Sequence, residues 1–329
     1  MARAWHLMSR PSGMPTPDNF ALDDYAPPAL GDGMIRVRNA WLSVDPYMRG
    51  RMNDVKSYVP PFALGEPMQG GAVGEVIESR AEGFAEGDKV LHMAGWRDEA
   101  VIAAGEAQKL PALGVPDQAF LGYLGMPGMT AYFGLLAVAG AKAGDTVFVS
   151  AAAGAVGSTV VQIAKAKGMT VIGSAGGADK CGWVAALGAD ATVDYKSGGP
   201  LVRKLTEAAP QGIDVYFDNV GGEHLDAAFA AANPNARFAM CGMIEGYNSG
   251  EPMAFRYIMS IIAKRLMLKG FIVTDFMSRM PEFYADMGAM AAAGKLRTEE
   301  TVHDGLDRQV DAFLGLFSGG NTGKMLVRV

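Results

Sequence analysis

The feature that most constrains the fold is a strand, a glycine turn and a helix that follow one another directly. The apolar run DTVFVS leads into AAAGAVGSTVVQIAKAKG. Gly154 and Gly157 occupy the second and third glycine positions of G-x-G-x-x-G, and Ala152 stands at the first. Gly154 lets the backbone approach a pyrophosphate, and Gly157 lets the helix pack closely on the strand. With the helix N–H groups facing the phosphates, this order predicts a dinucleotide-binding unit rather than an ordinary turn.

Five further apolar runs support that prediction. After about residue 122, MTVIGSAG, ATVDY, IDVYFDNV, RFAMCG and LMLKGFIV alternate with helical patterns, as in βαβ units. Their near-continuous apolar character is typical of a doubly wound parallel sheet that is covered on both faces. Earlier residues are rich in Pro, Gly and short β-prone runs. We therefore predict a mostly β domain over residues 1–121, a dinucleotide-binding domain over 122–290 and a C-terminal segment over 291–329.

The end of the second predicted strand indicates which dinucleotide is bound. An NAD site needs Asp or Glu there to bind the ribose 2′-hydroxyl. MTVIG runs instead to Ser174, which leaves room for a 2′-phosphate, and Lys180 can supply a positive charge. We predict NADP(H) as the cofactor.

Composition excludes several other functions. The net charge is −6 and no dense Lys/Arg cluster occurs, so nucleic acid is not an expected partner. Residues 118–141 carry no charge, but Pro127 and five glycines argue against a membrane span. Cys181 and Cys241 form neither a disulfide framework nor a CxxC motif, and the N-terminus lacks the apolar block of a signal peptide. We expect a cytoplasmic protein.

A metal site is not expected either. Both cysteines lie in the cofactor half, and the histidines at positions 6, 92, 224 and 303 are scattered, whereas zinc needs three or four converging ligands. Hydride transfer from a nicotinamide can proceed without a metal where a neutral O–H donor stabilises the negative charge that develops on the substrate.

Tyrosine fits that need, because its phenol stays protonated at working pH. In LSVDPYMRG, we expect Asp45 to cap a short helix that has Pro46 at its first position and ends near Gly50. Tyr47 has no role in such a cap, and DVKSYVPP places Tyr58 on a neighbouring polar loop. Both are candidate donors. Arg49 and Arg51 could steer an anionic substrate, but exposed arginines beside a helix end are more often surface pairs, so neither is a candidate.

Several longer motifs together carry a family resemblance. LSVDPYMRGRM, LGMPGMTAYFGLL, AAAGAVGSTVVQIAKAKG, AGGADKC, YFDNVGG and GFIV resemble the medium-chain dehydrogenase/reductase superfamily. They are most similar to its zinc-free branch of prostaglandin reductases, 2-alkenal reductases and curcumin-reductase-like enzymes. The resemblance covers nearly the whole chain. It implies an α/β protein in which a GroES-like, mostly β catalytic domain, closed by C-terminal residues, accompanies a Rossmann domain.

The resemblance also implies an activity. Members of this branch reduce the C=C bond of α,β-unsaturated ketones and aldehydes by transferring a hydride from NADPH to the β carbon, and homodimers are common. Two alternatives stay open at this point: an NADPH-dependent quinone reductase, and a non-catalytic NADPH-binding protein.

Site residues follow from the resemblance position by position. It implies Tyr47, Tyr58 and Tyr247 as catalytic candidates around the enone, while Ala263 stands where some relatives have a candidate tyrosine acid. It implies cofactor contacts at Gly154, Ala155, Val156, Gly157, Ser158, Lys180, Tyr195, Asn219, Cys241, Gly242, Met243, Tyr247, Phe271, Ile272, Val273 and Asn321.

Overall fold

The chain leaves its first structural unit after residue 121 and returns to it at residue 300. The computed structural model describes residues 1–329, with residues 1–121 and 300–329 in one unit and residues 122–299 in the other. The predicted C-terminal segment, 291–329, therefore begins too early. Residues 291–299 stay with the second unit, where the backbone N–H of Arg297 donates to Gln162 Oε1 over 2.6 Å.

Fifteen strands and nine α-helices make up the two units. The strands are β1 (Ala2–Leu7), β2 (Phe20–Tyr25), β3 (Met34–Ser43), β4 (Ala72–Ser79), β5 (Lys89–His92), β6 (Glu99–Ala103), β7 (Gln108–Lys109), β8 (Thr146–Val149), β9 (Thr170–Ala175), β10 (Ala191–Asp194), β11 (Ile213–Asp218), β12 (Ala232–Met240), β13 (Met267–Gly270), β14 (Glu300–Asp304) and β15 (Lys324–Arg328). The helices are α1 (Tyr47–Arg51), α2 (Met126–Phe133), α3 (Ala155–Ala166), α4 (Ala178–Ala186), α5 (Leu201–Ala208), α6 (Gly222–Ala231), α7 (Ser260–Ala263), α8 (Met280–Ala292) and α9 (Gln309–Phe317).

The second unit is a Rossmann domain. Its six strands lie in the order β10-β9-β8-β11-β12-β13, and every neighbouring pair is parallel. Numbered from β8, this is the 3-2-1-4-5-6 order of dinucleotide-binding sheets. The predicted doubly wound parallel sheet is confirmed.

Burial on both faces explains the apolar strands of this sheet. Val147, Phe148 and Val149 are all fully buried on β8, because helices cover both of its sides. Phe148 stacks on Tyr216 of β11 with ring centroids 5.1 Å apart. The central strands are thereby fixed side by side, and their carboxyl ends meet at one edge.

The first unit is mostly β. Its large sheet follows the order β14-β15-β3-β4-β5-β7, with β6 also paired to β3, and β1 and β2 form a separate antiparallel pair. The long strand β3 is the centre, since it pairs antiparallel with β4, β6 and β15. Buried Asn39 supports it there by donating to the carbonyls of Ala94 and Arg97. The prediction of a mostly β fold for this part of the chain is confirmed.

Aromatic packing joins the N-terminal strands of this unit to its last helix. Trp96 is fully buried, stacks on Phe20 at 6.2 Å and meets the edge of Phe313 of α9 at 5.8 Å. Residues 300–329 therefore contribute to the same hydrophobic core as the first residues of the chain.

The uncharged stretch 118–141 folds into short helical pieces, of which α2 is the longest. None of the helices in the structure combines the length and the apolar character that crossing a bilayer requires.

A buried histidine makes the first unit sensitive to acid. Burial, and secondarily the charge of Arg97, lowers the pKa of His92 from 6.5 to about 4. Its Nδ1 accepts a hydrogen bond from the Ala94 N–H over 3.1 Å, so protonation there would break that bond. Between these two pH values the unfolded chain holds more protons than the folded one.

We therefore predict that the free energy of unfolding falls as the pH falls from about 6.5 to about 4, with up to ~3 kcal/mol from His92. Urea unfolding across this range measures the loss. The loss should be smaller in His92→Gln, which carries no titrating group. Equal pH dependence of the variant and the wild type would remove His92 as a cause.

Candidate active site

The glycine turn after β8 is shaped for a close approach. A Cβ on Gly157 would lie 2.3 Å from the Ala151 carbonyl oxygen and 2.8 Å from Ala152 Cα, so only glycine fits. Ala151 itself adopts a φ of +48°, a conformation that few non-glycine residues take. Helix α3 starts directly after this turn, at Ala155.

No side chain caps the N-terminus of α3. Gly154 occupies the cap position and supplies no acceptor. The first N–H groups of a helix have no partner inside it, and they favour an anion together with the helix dipole. The turn and helix start therefore fit the pyrophosphate of a dinucleotide, as the sequence predicts for Gly154 to Ser158.

The end of β9 differs in detail from the prediction. Ser174 is fully buried and bonds to His224 Nε2 over 3.0 Å, so its side chain faces the interior and not a ribose. The strand continues to Ala175, and Gly176 follows. A Cβ on Gly176 would lie 2.7 Å from Tyr195 Oη and 3.0 Å from Lys196 Cε. Ala175 and Gly176, rather than Ser174, therefore stand at the end of the strand where an NAD site would have a carboxylate.

Lys180, Tyr195 and Lys196 lie close together near Gly176. Burial, and then the positive charge of Lys196, lowers the pKa of Lys180. Asp194 ties the two loops together, because its Oδ1 accepts from the N–H groups of Gly177 and Lys196. The ring of Tyr195 meets His224 edge-on at 5.2 Å. Two neighbouring cations form a suitable site for a phosphate dianion.

Lys196 was not among the residues predicted from the sequence. Its position next to Tyr195 in DYK is the signal that could have found it. Lys180 lies sixteen positions earlier along the chain. The two lysines come together because β9 and β10 are neighbouring strands, and the sequence alone does not show that strand order.

A buried carboxylate organises the edge formed by β8, β11 and β12. Asp218 Oδ1 accepts from the Tyr216 hydroxyl over 2.7 Å, from the N–H groups of Val220 and Gly221, and from Ser150 Oγ at 3.3 Å. The Ser150 hydroxyl in turn accepts from the Asn219 N–H. This network fixes the turn that carries Asn219.

The same residue holds the next turn. The Asp218 carbonyl accepts from the N–H groups of Cys241 and Gly242, both over 2.9 Å. The pKa of Cys241 is raised to about 12 by burial and by the charge of Asp218, so its thiol stays protonated. A Cβ on Gly242 would lie 3.1 Å from Tyr247 Oη. Asn219, Cys241, Gly242 and Tyr247 therefore lie together at the carboxyl edge of the sheet, where such sheets bind ligands.

Fewer contacts define the positions of the remaining predicted cofactor residues. Met243 packs beside Gly221, and Phe271 follows the end of β13, its ring 6.3 Å from that of Phe217. Ile272 and Val273 come next along the chain. Asn321 belongs to the first unit, where its side-chain amide donates to the Gly323 carbonyl over 2.7 Å. The roles of these residues stay predictions.

Helix α1 of the first unit is built differently from the prediction. Pro46 stands at the cap position, and the helix continues past Gly50 to Arg51. The Asp45 carboxylate does not cap it. Instead it accepts from the Ser43 hydroxyl and pairs with the Lys324 ammonium at 3.2 Å, while its backbone carbonyl accepts from the Met48 N–H. The cap predicted for Asp45 is wrong.

Tyr47 is the first residue of α1. Its hydroxyl is buried and makes no hydrogen bond of ordinary geometry within the chain. Burial, followed by the charge of Asp45, raises the pKa of Tyr47, whereas Arg51 opposes the rise. The phenol is therefore a neutral O–H at any physiological pH. Tyr58, by contrast, lies on an exposed loop and is 62% accessible.

The arginines of α1 are not surface residues. Arg49 and Arg51 are 3% and 7% exposed. Arg49 donates to Asn53 Oδ1 and to the Gly13 carbonyl. The interpretation of both as surface groups is wrong, because α1 lies beneath the loops that they bind.

Metal chemistry is not supported by the side chains. No group of three or more His, Cys, Asp or Glu side chains lies close enough to hold an ion. His92 and His224 are buried, and burial lowers the pKa of His224 to about 4. Each has a structural hydrogen bond, to Ala94 and Ser174 respectively.

The sheet order and the glycine turn define a dinucleotide-binding protein with a separate β unit. Residues 3–110 match the family described as "N-terminal domain of oxidoreductase", and residues 155–291 match "Zinc-binding dehydrogenase". The side chains do not fit the zinc that the second description mentions.

The similarity to known proteins extends over almost the whole length of the chain. The NADPH-dependent curcumin reductase of Escherichia coli (strain K12) is 42% identical over 336 residues, covering 99% of this chain and 96% of that protein. The 2-alkenal reductase (NADP(+)-dependent) of Nicotiana tabacum is 41% identical over 302 residues, covering 91% and 88%. The crystal structure of CurA in complex with NADPH from Vibrio vulnificus superposes with a TM-score of 0.94 at 42% identity, covering 99% of each chain.

The chain belongs to the medium-chain dehydrogenase/reductase family, in the branch that contains curcumin, prostaglandin and 2-alkenal reductases. The resemblance drawn from the sequence motifs is confirmed.

The lysine pair gives a prediction about cofactor choice. Lys180→Ala and Lys196→Ala should each raise the dissociation constant for NADPH about tenfold, because each removes a cation that the 2′-phosphate needs. NADH lacks this phosphate, so its affinity should change little. Fluorescence titration with both cofactors measures the ratio.

Lys165→Ala is the matched control, since Lys165 of the same unit already pairs with Asp190 at 2.8 Å. It should leave the ratio unchanged. Equal loss of NADPH and NADH affinity in the Lys180 and Lys196 variants would exclude both residues from the phosphate site.

Proposed function

We propose that the protein reduces the C=C bond of α,β-unsaturated ketones and aldehydes with NADPH. The observation that carries the proposal is the Tyr47 hydroxyl, which is buried, neutral and without an ordinary hydrogen-bond partner. A buried donor of this kind is costly unless something uses it. The curcumin and 2-alkenal reductases to which the chain is similar act on substrates of this chemistry by name.

The second unit supplies the groups that would hold the cofactor. The free N–H groups at the start of α3 suit the pyrophosphate, and Lys180 with Lys196 suits the 2′-phosphate. NADPH, when bound, supplies a hydride. The chain's own part is to bind and orient it, with Asp218 keeping the Asn219 and Cys241 turns in place.

The first unit would supply the hydrogen bond that the reaction needs. Hydride addition to the β carbon moves the C=C electron pair towards the carbonyl, whose oxygen becomes an enolate. A neutral phenol can donate to that oxygen as its charge grows, without reorganisation. A proton added at the α carbon then completes the saturated product. Ala263, exposed at the end of α7, offers no proton, which leaves the tyrosines and water as sources.

Substitution of the tyrosines tests this role. Tyr47→Phe should lower the rate of hydride transfer by about 10² to 10³, the usual cost of losing one such donor. If Tyr58 shares the role, each single variant should lose less and the double variant far more. Because the Tyr47 hydroxyl has no ordinary partner in the folded chain, its removal should not lower the melting temperature. Single-turnover oxidation of NADPH with an enone gives the rate.

Tyr132→Phe serves as the control, because its hydroxyl is engaged with Glu282 in the second unit. It should leave enone reduction unchanged. Wild-type rates in Tyr47→Phe, Tyr58→Phe and the double variant would show that tyrosine is not the donor.

A substrate panel tests the activity itself. Enones and alkenals should be consumed with NADPH faster than quinones. Preference for quinones would favour a quinone reductase, and binding of NADPH without consumption of any substrate would indicate a non-catalytic protein.

We further propose that the protein is a homodimer joined at β13. This strand pairs with β12 alone and leaves its other edge open. Met267 of this strand is 47% exposed, and Met259 and Ile262, which precede it in the chain, are 68% and 72% exposed. Unpaired strand edges and apolar patches are usually covered, and a twofold partner covers both at once.

Ile262→Glu should therefore convert the dimer to a monomer, since it would bury a charge in the interface. Light scattering at micromolar concentration measures the mass. Met8→Glu is the control, because Met8 is 50% exposed but lies in the first unit. A monomeric wild type would contradict the proposal.

A further inference from the structure

The turn after β10 is joined to the loop after β9 by one carboxylate. Asp194 is the last residue of β10, and its Oδ1 accepts from the Gly177 N–H over 2.9 Å and from the Lys196 N–H over 2.8 Å. Gly177 stands directly before α4, whose first turn contains Lys180. One oxygen therefore bonds to both segments that carry the candidate phosphate-binding lysines, and it fixes the distance between their backbones.

The main chain of Asp194 is anchored as well. Its carbonyl accepts from the Lys204 ammonium of α5 over 2.8 Å and from the Ser197 hydroxyl over 2.9 Å, and Lys204 also donates to Ser197 Oγ over 2.8 Å. Lys204 is therefore a structural part of the turn. Lys196, by contrast, extends its side chain towards Gly176.

Gly176 leaves the space that the side chains of this turn occupy. A Cβ there would lie 2.7 Å from Tyr195 Oη and 3.0 Å from Lys196 Cε, so a larger residue would push both side chains away. The backbone of Gly176 lies outside the left-handed region, so this close approach is the reason for a glycine here. The tyrosine hydroxyl and the lysine chain thus lie over the end of β9, where a Rossmann sheet receives the ribose of its dinucleotide.

A carboxylate at this place has a cost for NADPH binding. A phosphate monoester carries a charge of about −1.5 to −2 at neutral pH, and Asp194 repels it. Charge alone therefore gives no reason for an acid here. The two backbone N–H groups that Asp194 accepts from do give one, since they bring the two loops together.

We propose that Asp194 is a positioning residue for cofactor selectivity, which holds the Tyr195–Lys196 turn against Gly176 so that the lysines of both loops meet the 2′-phosphate of NADPH. The inference rests on the assignment of Lys180 and Lys196 to that phosphate within the proposed function. It is tested by cofactor binding alone and does not depend on which substrate is reduced.

Substitution of Asp194 separates positioning from repulsion by the sign of the effect. Asp194→Ala removes both bonds, so the dissociation constant for NADPH should rise about tenfold and that for NADH less than about twofold. A carboxylate that only repelled the phosphate would give the opposite result, tighter binding of NADPH. Asp194→Asn keeps an oxygen that can accept from both N–H groups, so it should retain or exceed the wild-type preference for NADPH. Fluorescence titration with each cofactor gives the constants.

A double-mutant cycle shows whether Asp194 acts through the turn. In the Lys196→Ala background, Asp194→Ala should change the NADPH dissociation constant less than about threefold, because the cation that it positions is gone. The same tenfold loss in both backgrounds would overturn the positioning role.

Asp190→Ala is the matched control. Asp190 directly precedes β10, accepts from the Val171 N–H near the start of β9 over 2.7 Å and pairs with Lys165. It thus joins the same two strands at their other end. The variant should lower the melting temperature and leave the ratio of NADPH to NADH affinity unchanged. A changed ratio would show that selectivity responds to any loosening of these strands, and would overturn the specific role of Asp194.

The failures are distinguishable. Should Lys196→Ala keep the full preference for NADPH, the phosphate site is wrongly assigned and the inference falls with it. Should only Asp194→Ala keep it, the positioning role alone is overturned. If Asp194→Ala does not fold, Gly176→Ala takes its place, because its Cβ displaces Tyr195 and Lys196 without touching the bonds of Asp194. It should weaken NADPH binding alone, and an unchanged NADPH affinity would contradict the proposal.

Discussion

The buried ion pair between Asp45 and Lys324 is the interaction on which the geometry of the first unit depends. The Lys324 ammonium also donates to the carbonyls of Val44 and Met325, so the corner after β3 is bound to β15 at several points. Burial lowers the pKa of Lys324 and the Asp45 charge opposes that change. Loss of one partner would leave an uncompensated charge in the interior, at a cost of about 3–5 kcal/mol. The direction of α1, and with it of Tyr47, follows from this pair.

The two units position polar groups by different means. In the first unit, long side chains reach across loops, as Arg51 does between α1 and the segment at Phe62. In the second, the ends of the strands set the positions of the polar groups. Asp218 accepts hydrogen bonds from N–H groups of its own turn and of the turn after β12. A rigid, parallel sheet suits a cofactor of constant shape, whereas loops are the more variable part of a fold.

Much of this arrangement could be read from the sequence. The glycine turn, the apolar strands and the family motifs identified the Rossmann sheet and the β unit, because those signals are local. The errors concern contacts between distant residues. Asp45 was expected to cap a helix because Lys324, 279 positions away, is invisible to a local pattern. Ser174 was placed on the wrong face because a strand that continues by one residue reverses the side-chain direction. Lys196 was missed because only strand order brings it to Lys180.

The discontinuity of the first unit affects how the protein is made. Residues 122–299 are contiguous, so the Rossmann unit can fold as soon as they have left the ribosome. The β unit cannot, because β3 and Asp45 are synthesised early whereas β15 and Lys324 come last. Until then, Asp45 lacks its ion-pair partner, and the last residues of β3, 41–43, lack the strand that pairs with them. The helix that carries Tyr47 is therefore among the first segments translated and among the last to reach its final position.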